Sequence, residues 1–71
     1  MNTQEKLEKV IDIAKEEYDG HFTLMRFTAN WRFIFGTLGN DEEIFLMESA
    51  KTLDEILDKA IENKKSVYDF E

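Results

Sequence analysis

The chain contains no cysteine and no proline, and only three of its 71 residues are glycine. Without cysteine, neither a disulfide nor a thiolate metal site is available to hold the fold together. The isolated glycines do not form the glycine-rich loop that cradles phosphate groups. A domain of this size therefore depends on its apolar core, or on dimerisation, for its stability.

Histidine is almost as scarce, because His21 is the only one. A hydrolase triad or a metal centre needs several convergent His, Cys, Asp or Glu side chains, and His21 has no partner at a suitable spacing. We interpret His21 as a surface or capping residue at a helix-to-strand turn. We therefore expect no catalytic residue, no cofactor site and no metal site, and we predict that the protein is not an enzyme.

Long apolar runs are also missing. No segment approaches the roughly 20 apolar residues of a membrane span. The first residues alternate in charge and lack the apolar run of a signal peptide. We expect a single domain over residues 1–71, located in the cytoplasm and without membrane contact.

Positive charge is in short supply, with nine basic against sixteen acidic residues and a net charge of −7. The only stretch without a carboxylate is residues 20–40, which holds both arginines and the single tryptophan. Nucleic-acid phosphates repel an acidic chain, so we do not expect general nucleic-acid binding. Only a local cationic patch in this stretch would be an exception.

Residues 21–38 are rich in aromatic and β-branched side chains, which favour β-strands. Between the two apolar runs lies Ala29-Asn30, and asparagine tolerates the backbone conformations of tight turns. This stretch therefore predicts a β-hairpin with its turn near residues 29–30.

The register of the hairpin determines where Arg26 and Arg32 lie. We favour an odd loop offset, which puts both arginines on an outer face and leaves one coherent apolar face for the core. In this register the outer face also holds Phe22, Leu24 and Ile34. The core face then holds Met25, Phe27, Trp31, Phe33 and Phe35. The alternative is a two-residue loop, which mixes these sets and places the arginines on opposite faces.

Two helices flank the hairpin, and each begins with a capping box. Asn2 and Glu5 precede an apolar stripe that predicts a helix over residues 3–18, ended by Gly20. Thr52 and Glu55 precede a second stripe, which predicts a helix over residues 53–64. In the first helix Ile13 lies off the stripe, as a side contact or a lone exposed residue.

The remaining segments complete an α-β-β-β-α order. Residues 43–49 (EIFLMES) predict a third strand that is apolar on both faces, with Phe45 and Met47 on one face and Ile44 and Leu46 on the other. Residues 66–71 form a tail that either docks or frays. The simplest α+β architecture is a three-stranded antiparallel sheet with two helices packed on one face. The other sheet face would stay open, and homodimerisation through it would cover its apolar side chains.

The element order is similar to that of the double-stranded RNA-binding domain. That family places a lysine cluster at the start of its last helix to grip phosphate. Here the corresponding residues 52–59 read TLDEILDK, in which the charge is reversed. RNA binding is therefore not carried over.

The segment GHFTLMRFTANWR, residues 20–32, resembles a segment of small uncharacterised bacterial and phage proteins. The resemblance covers about a fifth of the chain and a compatible layout around it. It implies no activity, but it favours an origin in a phage or another mobile element.

Two surfaces are candidates for binding a partner. Acidic residues recur every four positions on both helices, so each helix carries a row of carboxylates. The rows are Glu8, Asp12 and Glu16 on the first helix and Asp54, Asp58 and Glu62 on the second. Neighbouring carboxylates in a row lie about 6 Å apart, so the rows could enter a basic groove of a host protein. Alternatively they are solvated faces that keep the protein soluble.

The second candidate surface lies on the hairpin around its two arginines. Arginine beside an exposed aromatic ring can pair with phosphate and stack on bases. This alternative face consists of Phe22, Leu24, Arg26, Trp31, Arg32 and Ile34. Against it, the arginines could pair with the protein's own carboxylates while Trp31 joins the core. Our hypothesis is a non-catalytic interaction module that binds a host protein; the alternative is a nucleic-acid-binding accessory protein using Arg26, Trp31 and Arg32.

Overall fold

The computed structural model describes residues 1–70, and their α+β order confirms the predicted architecture. The helices are α1 (Thr3–Glu17) and α2 (Leu53–Asn63). The strands are β1 (Phe22–Arg26), β2 (Trp31–Phe35) and β3 (Glu48–Ala50). They form one antiparallel sheet in the order β1-β2-β3. Two 3-10 segments complete the chain, Asp41–Leu46 and Val67–Phe70.

Local capping determines both helix starts. The Asn2 side chain accepts the Glu5 N–H at 2.8 Å, and the Glu5 carboxylate accepts the Asn2 N–H at 3.1 Å. At the start of α2 the Thr52 hydroxyl accepts the Glu55 N–H at 3.1 Å. These bonds satisfy backbone donors that the first helical turn leaves unpaired. Both helices end within one residue of the predicted ends.

The two helices run in the same direction. Ion pairs join the start of α1 to the first half of α2, and the end of α1 to the residue that follows α2. Lys6 of α1 lies 3.1 Å from Asp58 and 3.8 Å from Asp54, both in the first half of α2. At the other end, Glu17 lies 3.5 Å from Lys64. The apolar contact between the helices lies between these ion pairs.

The predicted hairpin register is wrong, and the two-residue alternative is the one found. Phe22 pairs with Phe35, and Arg26 with Trp31. The Phe27 N–H donates to the Asn30 carbonyl at 2.8 Å, which leaves Thr28-Ala29 as the loop. Strand side chains alternate between faces, so this register places Arg26 on the helix-facing side and Arg32 on the opposite, outer side.

The register also changes which residues of β1 enter the core. Phe22 and Leu24 lie on the helix-facing side beside Phe33 and Phe35, where Met25 and Phe27 had been expected. The residues of β2 that were expected on the core face are correct, since Trp31, Phe33 and Phe35 share that face. Most aromatic rings of the hairpin therefore lie on the one face of the sheet that the helices cover.

The third strand is shorter than predicted and lies later in the chain. Instead of residues 43–49, only Glu48–Ala50 pair with β2. The Asn40 side chain accepts the Glu42 N–H at 3.0 Å and starts a helical turn before the apolar residues. The segment Asp41–Leu46, here termed the crossing segment, is consequently helical and not extended, and Arg32 from the outer face of the sheet binds its Ile44 carbonyl.

The core lies between the helices and the sheet. It contains Val10, Ile13, Ala14, Phe33, Phe35, Ala50, Ile56, Leu57 and Ala60. Ile13 is buried, so its expected off-stripe position is wrong. Ile34 on the outer face and Met47 before β3 are buried too, although neither belongs to this cluster. The outer face of the sheet is therefore only partly open.

The C-terminal tail docks on the end of β2 as far as it is described. The Phe35 N–H donates to the Lys65 carbonyl at 3.0 Å, and Ser66 forms a parallel bridge with Phe35. Ser66 takes the place beside β2 that β3 leaves vacant. Glu71, the last residue of the predicted tail, lies outside the described residues. Over residues 1–70, neither helix is long and apolar enough to cross a membrane.

Candidate functional site

The outer face carries a cleft of about 370 Å³ between the hairpin tip and the crossing segment. We term it the aromatic cleft. Its lining residues are Phe27, Asn30, Arg32, Asp41, Ile44 and Phe45. The hairpin supplies three of these residues and the crossing segment the other three. The cleft therefore forms where the crossing segment, which is helical and not part of the sheet, meets the hairpin.

Among residues 1–70, Arg32 is the one cation that lines the aromatic cleft. Its Nη1 donates to the Ile44 carbonyl at 3.1 Å, which fixes the guanidinium beneath the crossing segment. The guanidinium carbon lies 5.9 Å from the centre of the Phe27 ring and 6.0 Å from that of Phe45. Both distances fall within the range of a cation–π interaction.

The two phenylalanines that flank Arg32 are poorly covered. Phe45 is 80% exposed and Phe27 is 41% exposed. Isolated exposed apolar residues are ordinary on a protein surface, whereas grouped aromatic side chains beside a shared cleft indicate a contact site. The aromatic cleft combines such rings with an oriented arginine.

A second, more open groove of about 570 Å³ adjoins the hairpin tip, and Asn30 lines both cavities. Its other lining residues are Ala29, Ser49, Ala50, Lys51, Glu55 and Lys59. Lys59 donates to the Ser49 carbonyl at 2.7 Å, so α2 is tied to β3 at this point. The groove has more polar walls than the aromatic cleft and holds no exposed aromatic ring.

The alternative binding face predicted from the sequence does not exist as one surface. The register divides its six residues, and only Arg32 and Ile34 lie on the outer side. Ile34 is fully buried there, while Phe22 and Leu24 pack against the core. Arg26 stacks on Trp31 on the helix-facing side, with its guanidinium carbon 5.4 Å from the ring centre. Arg26 and Arg32 therefore cannot grip one ligand together from a single sheet face.

The two acidic rows lie on different sides of the helix pair. Asp54 and Asp58 face α1, where they bind Lys6. Glu8 follows Lys6 by two residues, which is about 200° around the helix, so its row points away from α2. Glu8, Asp12, Glu16 and Glu62 are exposed. The rows do not form one continuous acidic strip.

Among the titratable groups of residues 1–70, two have shifted pKa values. The hydrogen bond that the Lys6 ammonium donates to Asp58 is the main cause that raises the pKa of Lys6, partly opposed by desolvation. Burial raises the pKa of the Tyr18 hydroxyl, with a further contribution from the Glu17 charge. Neither group lines the aromatic cleft, so both pKa shifts concern the stability of the fold and not the cleft.

No metal-binding cluster of three or more His, Cys, Asp or Glu side chains occurs among residues 1–70. His21 is exposed after α1, where its N–H donates to the Tyr18 carbonyl at 2.9 Å. Phe45 is one of the cleft residues that sequence reasoning missed, because it was assigned to one face of a predicted third strand. The signal that could have found it is Asn40 followed by three acidic residues, a typical start of a helical turn.

Comparisons of the chain with protein-family models, with curated protein sequences and with solved structures find no match.

Proposed function

We propose that this chain is a non-catalytic protein-interaction module whose docking site is the aromatic cleft. The observation that supports the proposal is the 80% exposure of Phe45 beside an oriented Arg32. Aromatic residues and arginine dominate the residues that carry binding energy in protein interfaces. An exposed phenylalanine contributes nothing to the core, so its position is better explained by a partner.

Nucleic-acid binding is less well supported than protein binding. Arg26 and Arg32 lie on opposite sides of the sheet, and the whole chain carries a charge of −7. Binding a phosphate backbone usually engages several cations at once. The acidic helical rows are also a weaker candidate surface, because Lys6 already pairs with two of their carboxylates. Given the resemblance of the hairpin to phage proteins, we propose a host protein as the partner.

The test is an affinity capture from nuclease-treated bacterial lysate with the wild-type chain, Phe45→Ala and Leu46→Ala. Leu46 is the matched control, because it follows Phe45, is 44% exposed and does not line the aromatic cleft. We expect proteins captured by the wild type to be retained by Leu46→Ala and lost with Phe45→Ala. Equal capture by all three chains would contradict the proposed docking site.

A second arm separates the two candidate surfaces. Reversing the charges of Glu8, Asp12 and Glu16 leaves the aromatic cleft intact. If capture depends on the cleft, this variant should keep its partners. Loss of capture in the charge-reversed variant, with normal capture by Phe45→Ala, would transfer the docking site to the acidic row of α1.

A further inference from the structure

We infer that the aromatic cleft takes a peptide segment in which one carboxylate stands next to an aromatic or aliphatic side chain. The inference rests on the proposed function, since it names the partner chemistry of the same site. Three observations carry it: the unpaired charge of Arg32, the apolar walls and the single acidic residue at the rim.

Arg32 has donors available for a carboxylate. Among the described residues it makes no ion pair, and its one hydrogen bond goes to the Ile44 carbonyl. A guanidinium carries five N–H donors, so several remain for an incoming acceptor. Because the bond to Ile44 already orients the plane, a carboxylate can bind without first ordering the side chain.

The walls of the cleft define what accompanies the carboxylate. Phe27 and Phe45 flank the guanidinium at 5.9 and 6.0 Å from its carbon. An aromatic or aliphatic side chain adjacent to the carboxylate would cover these rings and remove water from around the ion pair. Removing water strengthens the attraction between the two charges. An acidic residue without an apolar neighbour would leave Phe45 in solvent.

Asp41 limits the charge of the ligand. It lines the same cleft as Arg32, so a second negative group on the ligand would meet a carboxylate. This favours a single acidic residue over an acidic run, a phosphorylated residue or a nucleic-acid strand. A second copy of the chain is also less suitable, since a two-fold contact would bring the two Arg32 side chains towards a common axis.

The experiment is a selection from a displayed library of random heptapeptides against the full chain, in parallel with Arg32→Gln and Arg26→Gln. Arg26→Gln is the matched control, because it removes an arginine of the same hairpin from the opposite face. We expect the wild type and Arg26→Gln to enrich peptides with Asp or Glu beside Phe, Trp or Leu. Arg32→Gln should not enrich them.

Calorimetry with the most enriched peptide tests the need for a carboxylate without any change to the protein. Replacing its acidic residue by the corresponding amide should weaken binding at least about tenfold, because a charge-assisted hydrogen bond is lost. This arm remains decisive if Arg32→Gln fails to fold.

Three results of the selection would overturn the inference: enriched peptides without an acidic residue, equal binding of acidic peptides by Arg32→Gln, or no enrichment at all. Self-association of the wild type that Phe45→Ala abolishes would identify a second copy as the occupant and overturn it too. If peptides without acid bind in a Phe45-dependent manner, only the partner chemistry fails. If Phe45→Ala changes no binding whatever, the proposed function itself fails.

Discussion

The two faces of the sheet differ in how their aromatic residues are covered. On the helix-facing side, Phe33 and Phe35 are fully buried beneath the two helices. On the outer side Ile34 is buried, while Phe27 and Phe45 are exposed around the aromatic cleft. The strand β2 supplies buried residues to both faces because its side chains alternate.

This difference indicates a division of roles. Burial of large rings supplies much of the free energy of folding, so the helix-facing side should govern stability. Exposed rings add little to stability and remain available to a partner. Substitutions on the two sides should therefore separate stability from binding, and the following predictions run from the largest expected effect to the smallest.

Phe35→Ala should have the largest effect on stability. The Phe35 ring stacks on Tyr18 at 4.7 Å and meets Phe33 edge-on at 4.9 Å. Removing it leaves a cavity among rigid neighbours, and we expect the free energy of unfolding to fall by about 3–5 kcal/mol. Urea unfolding followed by circular dichroism measures this change. A loss below about 1 kcal/mol would mean that this face collapses around the cavity.

Gly36→Ala should destabilise the docked tail. Gly36 has φ +92°, and a Cβ there would lie 2.5 Å from Cγ2 of Val67. We expect a loss of about 1–3 kcal/mol and faster amide exchange at Phe35, whose N–H binds the tail. Gly20→Ala is the matched control, because Gly20 has φ +81° and open space around its Cα. Equal losses in both variants would attribute the effect to backbone strain alone.

Thr52→Ala tests the start of α2, the helix that packs on β2 and β3. It removes the hydroxyl that accepts the Glu55 N–H, and we expect a loss of about 1 kcal/mol in the free energy of unfolding. Thr52→Ser keeps the acceptor and should retain most of the stability. If Ser and Ala are equally destabilising, the methyl group of Thr52 matters more than its hydroxyl.

Alkaline pH should lower the stability of the fold, because Lys6 and Tyr18 then lose their protons. The pKa values of Lys6 and Tyr18 are raised above 10.5 and 10.0 in the folded chain. Raised values mean that their stabilisation is complete below the unfolded pKa and is lost as pH rises through the folded one. The melting temperature should therefore decline above about pH 10, and this decline should be smaller in Lys6→Gln and Tyr18→Phe. An unchanged decline in both variants would refute the assignment.

Phe45→Ala should have the smallest effect on stability. The ring is 80% exposed, so we expect the free energy of unfolding to change by less than about 0.5 kcal/mol. The same substitution should remove partner binding. A loss of stability comparable to that of a buried phenylalanine would mean that the ring belongs to the fold, and the contrast between the faces would disappear.

Much of the fold could be predicted because it depends on neighbours in the chain. Asn2 with Glu5, and Thr52 as an N-cap, determined where the helices start. The apolar stripes determined which helical faces pack, with Ile13 as the exception. The aromatic, carboxylate-free stretch determined that a hairpin forms. These features rest on capping bonds and periodicity, which the sequence displays directly.

Apart from the local cap at Asn40, the candidate site could not be predicted, because it depends on contacts between distant residues. A shift of the hairpin loop by one residue exchanges the two faces of β1, and only the packing of Phe22 and Leu24 against the helices decides between registers. The crossing segment is also held by the bond between Arg32 and the Ile44 carbonyl, 12 residues apart. The sequence by itself therefore determined the elements and their order. The tertiary structure decided which aromatic rings are buried and which surround Arg32.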